Sequence, residues 1–232
     1  GGRRAAGLGW RRAGGSVWAG GGVRVEGGGA SLGRRVEPAV ERIGVDGLRV
    51  PVRRGLVTYL LNKPRGVVST ASDPQGRPTV VQLVPTEPRV FPVGRLDTDT
   101  SGLLVLTNDG DFAQRLAHPS FEITKTYVAL VDGTVKDTIG DVLKAGVTLE
   151  DGDAKVDRFV VKDRSRGMSL VELDIHMGRN RIVRRMLAEV GHPVKELTRT
   201  GFGPIHLGGL RSGVMRELSR DELGALFDSV DS

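Results

Sequence analysis

Gly94-Arg95-Leu96-Asp97-Thr98-Asp99-Thr100-Ser101-Gly102-Leu103-Leu104-Val105-Leu106-Thr107-Asn108-Asp109-Gly110 divides into two parts of different character. Residues 102–107 are a short unbroken apolar run, the pattern of a strand buried on both faces. Asn108-Asp109-Gly110 closes it as a turn, and a short helix starting at Asp111 is stopped by Pro119. Ahead of the run, two carboxylates and an arginine crowd into a few residues.

Four chemistries fit that crowd. Asp97, Asp99, Ser101 and Gly102 match the first ligand positions of an EF-hand loop, but Asn108 stands where a bidentate Glu is required and the flanks are not helical. Two Asp at i and i+2 can share a divalent cation on one face of an extended segment. They can also approach the spacing of about 5 Å that a retaining glycosidase needs, although an aromatic content of 4% leaves little to stack a sugar. The fourth reading is a single catalytic carboxylate beside an arginine, placed ahead of a buried strand.

Working outward, residues 56–61 read as a strand closed by Asn62-Lys63-Pro64-Arg65-Gly66, and residues 90–93 as a short one. Residues 125–131 form a strand. Val135, Ile139, Val142 and Leu143 recur at helical spacing, and residues 169–175 alternate cleanly. Residues 180–190 are the clearest amphipathic helix. Ile182, Val183, Met186, Leu187 and Val190 form its apolar stripe, Arg181, Arg184 and Arg185 lie opposite, and Asn180 is the expected N-cap. Ser219 and Glu222 form a capping box for a last helix. Strands and helices mix without a βαβ rhythm, which predicts an α+β fold.

Composition narrows the function classes. With no cysteine, disulfides, thiolate catalysis and Cys-based zinc sites drop out, and the four histidines are too scattered to suggest a metal site. No apolar run approaches a membrane span, and the N-terminus does not read as a secretory signal, so a cytoplasmic location is expected. The net charge of +6 points to a polyanionic partner. Residues 1–54 carry eleven arginines against four carboxylates, which locates the excess in an N-terminal module.

Taken together, the strings resemble the RsuA/RluB branch of the pseudouridine synthases. The resemblance rests on Gly94 to Gly110, on Asn62-Lys63-Pro64-Arg65-Gly66, on His118-Pro119-Ser120 with Lys125-Thr126-Tyr127, and on Gly178-Arg179-Asn180-Arg181-Ile182-Val183-Arg184-Arg185-Met186. It covers about residues 56–228. Gly146-Val147-Thr148-Leu149-Glu150-Asp151-Gly152 is similar to the RluB side.

The resemblance implies a mixed, mostly antiparallel sheet with a central cleft, acting without metal or cofactor on a uridine of ribosomal RNA or a pre-ribosomal particle. The large subunit is the expected target, with the small subunit as the alternative. Asp97 would attack the ribose or take a proton from it. Arg184 would pair with Asp97 and keep it ionised, Tyr127 would pack on the target base, and Arg95 would help evert the nucleotide. Lys63, Arg179, Arg181 and Arg185 would contact RNA, Lys63 and Arg179 through its phosphates. A monomer is expected. Without these strings, Asp97 would read as a turn residue, Tyr127 as a half-buried strand aromatic and the three helix arginines as a solvated face.

Residues 1–50 resemble an S4 RNA-binding module, joined by a linker at 51–55 to a catalytic domain at 56–232. In its first half glycines replace helix formers, so residues 10–22 are expected to be poorly ordered or to fold on RNA. The other class of function in play is an S4-type assembly factor whose second domain only clamps rRNA.

Overall fold

The computed structural model describes residues 55–230 and, nearer the N-terminus, the backbone of four short strands. These are β1 (Val23–Val25), β2 (Gly28–Gly29), β3 (Ile43–Val45) and β4 (Leu48–Arg49), paired antiparallel in the order β2-β1-β3-β4. They belong to a unit ending at Leu56, and a second unit begins at Val57. The expected disorder of residues 10–22 and the helical half of an S4 module lie outside the described residues.

In the larger unit, β5 (Thr58–Lys63), β6 (Phe91–Val93) and β7 (Ser101–Thr107) make one antiparallel group. The first strand starts two residues later than the sequence suggests and runs through Asn62 and Lys63, which pair with Leu103 and Gly102. Six of the seven residues of β7 are buried, as a run apolar on both faces requires. Leu103 and Val105 enter one core cluster, Leu104 and Leu106 another.

Helix α1 (Gly110–Ala117) follows, its N-cap Asp109 accepting from the Phe112 amide at 3.2 Å. Next come β8 (Lys125–Asp132), α2 (Thr138–Ala145), β9 (Val147–Leu149), β10 (Gly152–Ala154), β11 (Arg158–Ser165) and β12 (Met168–Ile175). Helix α3 (Ile182–Glu189) leads to β13 (Val194–Phe202), β14 (Ile205–His206), β15 (Met215–Glu217) and α4 (Arg220–Asp228), which begins with the expected capping box.

The helix expected from the spacing of Ile139, Val142 and Leu143 is present as α2, and one local expectation, at the start of α3, is corrected. In α2, Ile139 packs on the core, Leu143 is buried and Gly140 sits close against Phe159, while Val142 points outward at 45% exposure. Asn180 is not the cap of α3. Arg181 occupies that position in the left-handed conformation (φ 50°), with no side-chain capping bond.

The large sheet has the order β11-β12-β8-β13-β7-β5-β15, with β14 on β13 and β6 on β7. One pairing in it is parallel, β13 to β7, and it spans two residue pairs, Thr198 with Ser101 and Arg199 with Gly102. The sheet is therefore two antiparallel blocks joined at one short seam. Helices α2 and α3 pack on the β8, β11, β12 and β13 block. Helices α1 and α4 cover the other block. No described helix is long and apolar enough to cross a membrane.

Gly102 is what permits the seam. Its φ is +109°, and a Cβ there would press into the Arg199 backbone, 2.7 Å from the amide nitrogen. Gly102→Ala should therefore destabilise the full chain by about 3 kcal/mol or more, through backbone strain and clash together. A lowered urea midpoint in equilibrium unfolding is the expected readout.

Beside the seam, Lys63 is wholly buried, and its ammonium donates to the carbonyls of Pro64 (3.0 Å) and Val67 (2.8 Å). Burial lowers its pKa from 10.5 to about 8, against the raising effect of Asp97 and Asp99. Lys125 is also lowered to about 8, by burial and by Arg199. A pKa below the unfolded value means that the unfolded chain binds more protons between pH 8 and 10.5, so both lysines make stability rise with pH across that window. Lys63→Met should flatten the rise by up to about 1.4 kcal/mol per pH unit. Unfolding free energies at pH 8, 9 and 10 check this, and an unchanged slope would rule it out.

Candidate active site

The segment before β7 is clipped on both sides of Asp97. Leu96 is an apolar anchor in the core, and its backbone is held by buried Ser69, whose hydroxyl donates to the Leu96 carbonyl (2.8 Å) and accepts from its amide (3.1 Å). The Gly66 amide donates to the Thr98 carbonyl at 2.7 Å, and the Thr100 amide closes a turn on the Asp97 carbonyl at 3.0 Å. Ser101 then ties the start of β7 to Thr198 of β13 through their hydroxyls, 2.8 Å apart. The Asp97 carboxylate is thereby presented from a rigid turn beside the seam, with 33% of its side chain exposed. Side chains set on clipped, packed backbone hold reacting geometry better than those on free loops.

The carboxylate opens into a hollow of about 640 Å³ lined by Arg65, Val68, Arg95, Asp97, Asp99 and Arg181, among others. Three guanidinium groups on its wall suit a polyanionic ligand.

Arg181 forks onto Asp99, Nη1 to Oδ1 and Nη2 to Oδ2, both at 2.9 Å, while its Nη1 stays 3.6 Å from Asp97 Oδ2. Arg184, only 12% exposed, donates from Nη2 to the Asp99 carbonyl at 2.9 Å and lies 3.3 Å from Asp99 Oδ2. The Arg181 hydrogen bonds hold the Asp99 carboxyl below its usual range, and burial lowers Arg184.

The expected site residues distribute as follows. Asp97, Arg95 and Arg181 come together on the wall of the hollow. Arg184 is next to them, but its ion pair is with Asp99, so among the described residues the cation nearest Asp97 is Arg181. Tyr127, half-buried on β8, packs between the core under α3 and the core that contains Leu96. It stands opposite Arg199 in register, one strand beyond the seam.

Lys63, expected at a phosphate, is instead buried in β5 beneath Asp97 and Asp99. Arg179 is spent on the β9–β10 hairpin, donating to the carbonyls of Asp151 (2.8 Å), Gly152 (3.1 Å) and Asp153 (2.5 Å). Arg185 forks onto the Asp151 carboxylate at 2.6 and 3.0 Å. These two arginines fasten a hairpin, because Asp151 brings an acid within reach of both. Asp99 is likewise occupied by two arginines, so its oxygens are not open as the second member of a metal or glycosidase pair.

Sequence reasoning missed Arg65, Ser69 and Arg199. Arg65 was visible in the first turn string, but nothing local showed that it would face Asp97. Arg199 is buried at 4% exposure. Its Nε donates to the Leu103 carbonyl at 2.8 Å, its guanidinium lies 5.2 Å from the Phe202 ring centre, and its Nη2 has no partner among the described residues. Alternation along a strand carries no sign of such a buried cation.

A family model described as RNA pseudouridylate synthase matches residues 57–189. An RNA pseudouridine synthase of Mycobacterium tuberculosis is 50% identical over 203 residues, covering 86% of this chain and 80% of the relative. Ribosomal large subunit pseudouridine synthase B of Bacillus subtilis is 45% identical over 195 residues, 82% of this chain and 79% of its own length. A crystal structure of a pseudouridylate synthase superposes with a TM-score of 0.66 at 25% identity, covering 97% of this chain and 96% of that one. The carboxylate on its clipped turn thus sits in a fold and a sequence context shared with these enzymes, and the chain belongs to the RNA pseudouridine synthase family.

Proposed function

We propose that this enzyme isomerises a specific uridine to pseudouridine in the ribosomal RNA of the large subunit, with Asp97 as its catalytic carboxylate. The observation that carries the reading is the placement of Asp97, which is one-third exposed on a turn fixed by Leu96, Gly66 and Thr100, beside a hollow with three arginines on its wall. The name of the Bacillus subtilis relative supports the large subunit as the target.

In this reading the nucleotide is everted into the hollow, since its sugar is out of reach in a stacked strand. Asp97 attacks C1′ or removes a proton from the ribose, and the bond from C1′ to N1 breaks. The base turns in place and C5 bonds to C1′ as the Asp97–C1′ bond breaks or, on the proton-abstraction route, as Asp97 returns the proton to the ribose; the proton on C5 then leaves and N1 takes one up. Tyr127 packs on the base, Arg95 and Arg65 meet the flanking backbone, and Arg181 and Arg184 place positive charge around the turn that carries Asp97.

The basic N-terminal residues 1–50 act as an S4-like RNA grip, joined through 51–55 to the catalytic domain at 56–232. The substrate is ribosomal RNA or a pre-ribosomal particle, met by a monomer in the cytoplasm.

Asp97→Asn, an isosteric change, should lower the rate of pseudouridine formation by on the order of 10⁴-fold or more while leaving RNA affinity within about threefold. Mapping pseudouridine in both rRNAs, with and without the enzyme, reads the target. Modification confined to the small subunit would overturn the large-subunit assignment. RNA binding by the wild type with no modification anywhere would favour the assembly-factor reading. Arg95→Ala should weaken RNA binding and reduce the slope of log affinity against log salt by about one. Titrations at several salt concentrations check that effect.

A further inference from the structure

Two carboxylates, Asp97 and Asp99, compete for one guanidinium. Arg181 reaches both, but unequally: a two-bond fork on Asp99 at 2.9 and 2.9 Å, and a single 3.6 Å approach to Asp97 that is too long for a hydrogen bond. The fork spans the gap between the turn and helix α3, and Arg181 holds a left-handed backbone (φ 50°) at its end of it. Left-handed backbone at a residue other than glycine persists only where the surroundings over-determine it. From the same helix, Arg184 pins the Asp99 backbone through its carbonyl at 2.9 Å and adds a second cation 3.3 Å from the carboxylate. Asp99 is therefore the point at which the turn and the basic helix lock together.

We propose that Asp99 is a positioning residue that holds Arg181 off the catalytic carboxylate. The inference rests on the reading of Asp97 as the reacting group. A guanidinium forked onto Asp97 would occupy both of its oxygens and reduce their capacity to attack carbon or accept a proton. A guanidinium held nearby but committed elsewhere leaves those oxygens free for the ribose. Asp99 provides this by offering Arg181 the better geometry two residues along the same turn. The sequence places the two carboxylates at i and i+2, and the fold makes one of them the holder of the other's counter-ion. Arg184 keeps its hold on the turn in Asp99 variants, because its hydrogen bonds there end on the Asp99 carbonyl and the Thr100 hydroxyl, which every substitution at Asp99 retains.

The test is a double-mutant cycle on an rRNA fragment in which the wild-type enzyme forms pseudouridine. Asp99→Ala releases Arg181 onto Asp97, so kcat should fall roughly ten- to a hundredfold with KM within about threefold. Arg181→Ala added to Asp99→Ala removes the intruding cation, and kcat should recover part of the loss, rising above that of Asp99→Ala alone. Asp99→Glu keeps a forked acceptor and should retain more activity than Asp99→Ala. If Asp99→Ala does not fold, Asp99→Asn takes its place in the same cycle.

A wild-type kcat for the Asp99 variant overturns the proposal, as does a double variant whose loss is the product of the two single losses. The Asp97→Asn control separates the two levels of the argument. An active Asp97→Asn enzyme removes the catalytic reading and this inference with it. An inactive one alongside multiplicative losses at 99 and 181 removes only the inference.

Discussion

The structure turns on the two-residue parallel contact between β7 and β13. On one side lie the antiparallel strands β11, β12, β8 and β13, on the other β7, β5 and β15. Each block packs its own helices. At Gly102 the two backbones approach so closely that a side chain has no room. The turn bearing Asp97 ends where β7 begins, and helix α3 comes just before β13, so joining these two strands brings the turn and the basic helix face to face. Tyr127 stands opposite Arg199, the residue that meets Gly102, and belongs to the same seam. The candidate site is thus a product of how the blocks are joined.

Charge around the seam is arranged in layers. A buried lysine lies beneath the turn, two arginines reach it from α3, and Arg65 and Arg95 stand on the wall of the hollow. For an isomerisation within one nucleotide, the protein's contribution is eversion, orientation and a fixed electrostatic environment. Preset cations around a carboxylate do this without reorganising during the reaction. The basic run from Arg179 to Arg185 divides its labour according to the acid each arginine meets. Arg181 and Arg184 turn to Asp99 at the site, whereas Arg179 and Arg185 turn to Asp151 and secure the β9–β10 hairpin. Arg181, Arg184 and Arg185 share one helix face by spacing alone, so that face by itself says nothing of the division.

The errors of sequence reading have identifiable causes. Lys63 looked like a surface lysine in a turn, but the strand extends through it and its ammonium finds two carbonyls indoors. Asn180 had the chemistry of an N-cap, yet the ion pair to Asp99 is made by Arg181, which stands at the cap position in left-handed backbone.

Local sequence by itself determined the buried strand after Asp97, the alternation of β12, the apolar stripe of α3, the capping box of α4 and the strings that mark the family. These features depend on near neighbours along the chain, through side-chain period, capping chemistry and turn residues, so they can be read from it directly. Tertiary structure alone decided which arginine stands nearest Asp97, which carboxylate holds it, that Lys63 is buried, and that Arg179 and Arg185 brace a hairpin. Each of these is a choice between partners that are distant in sequence, 82 residues apart for Arg181 and Asp99. Such choices are made by distance and geometry after the two blocks of the sheet have met.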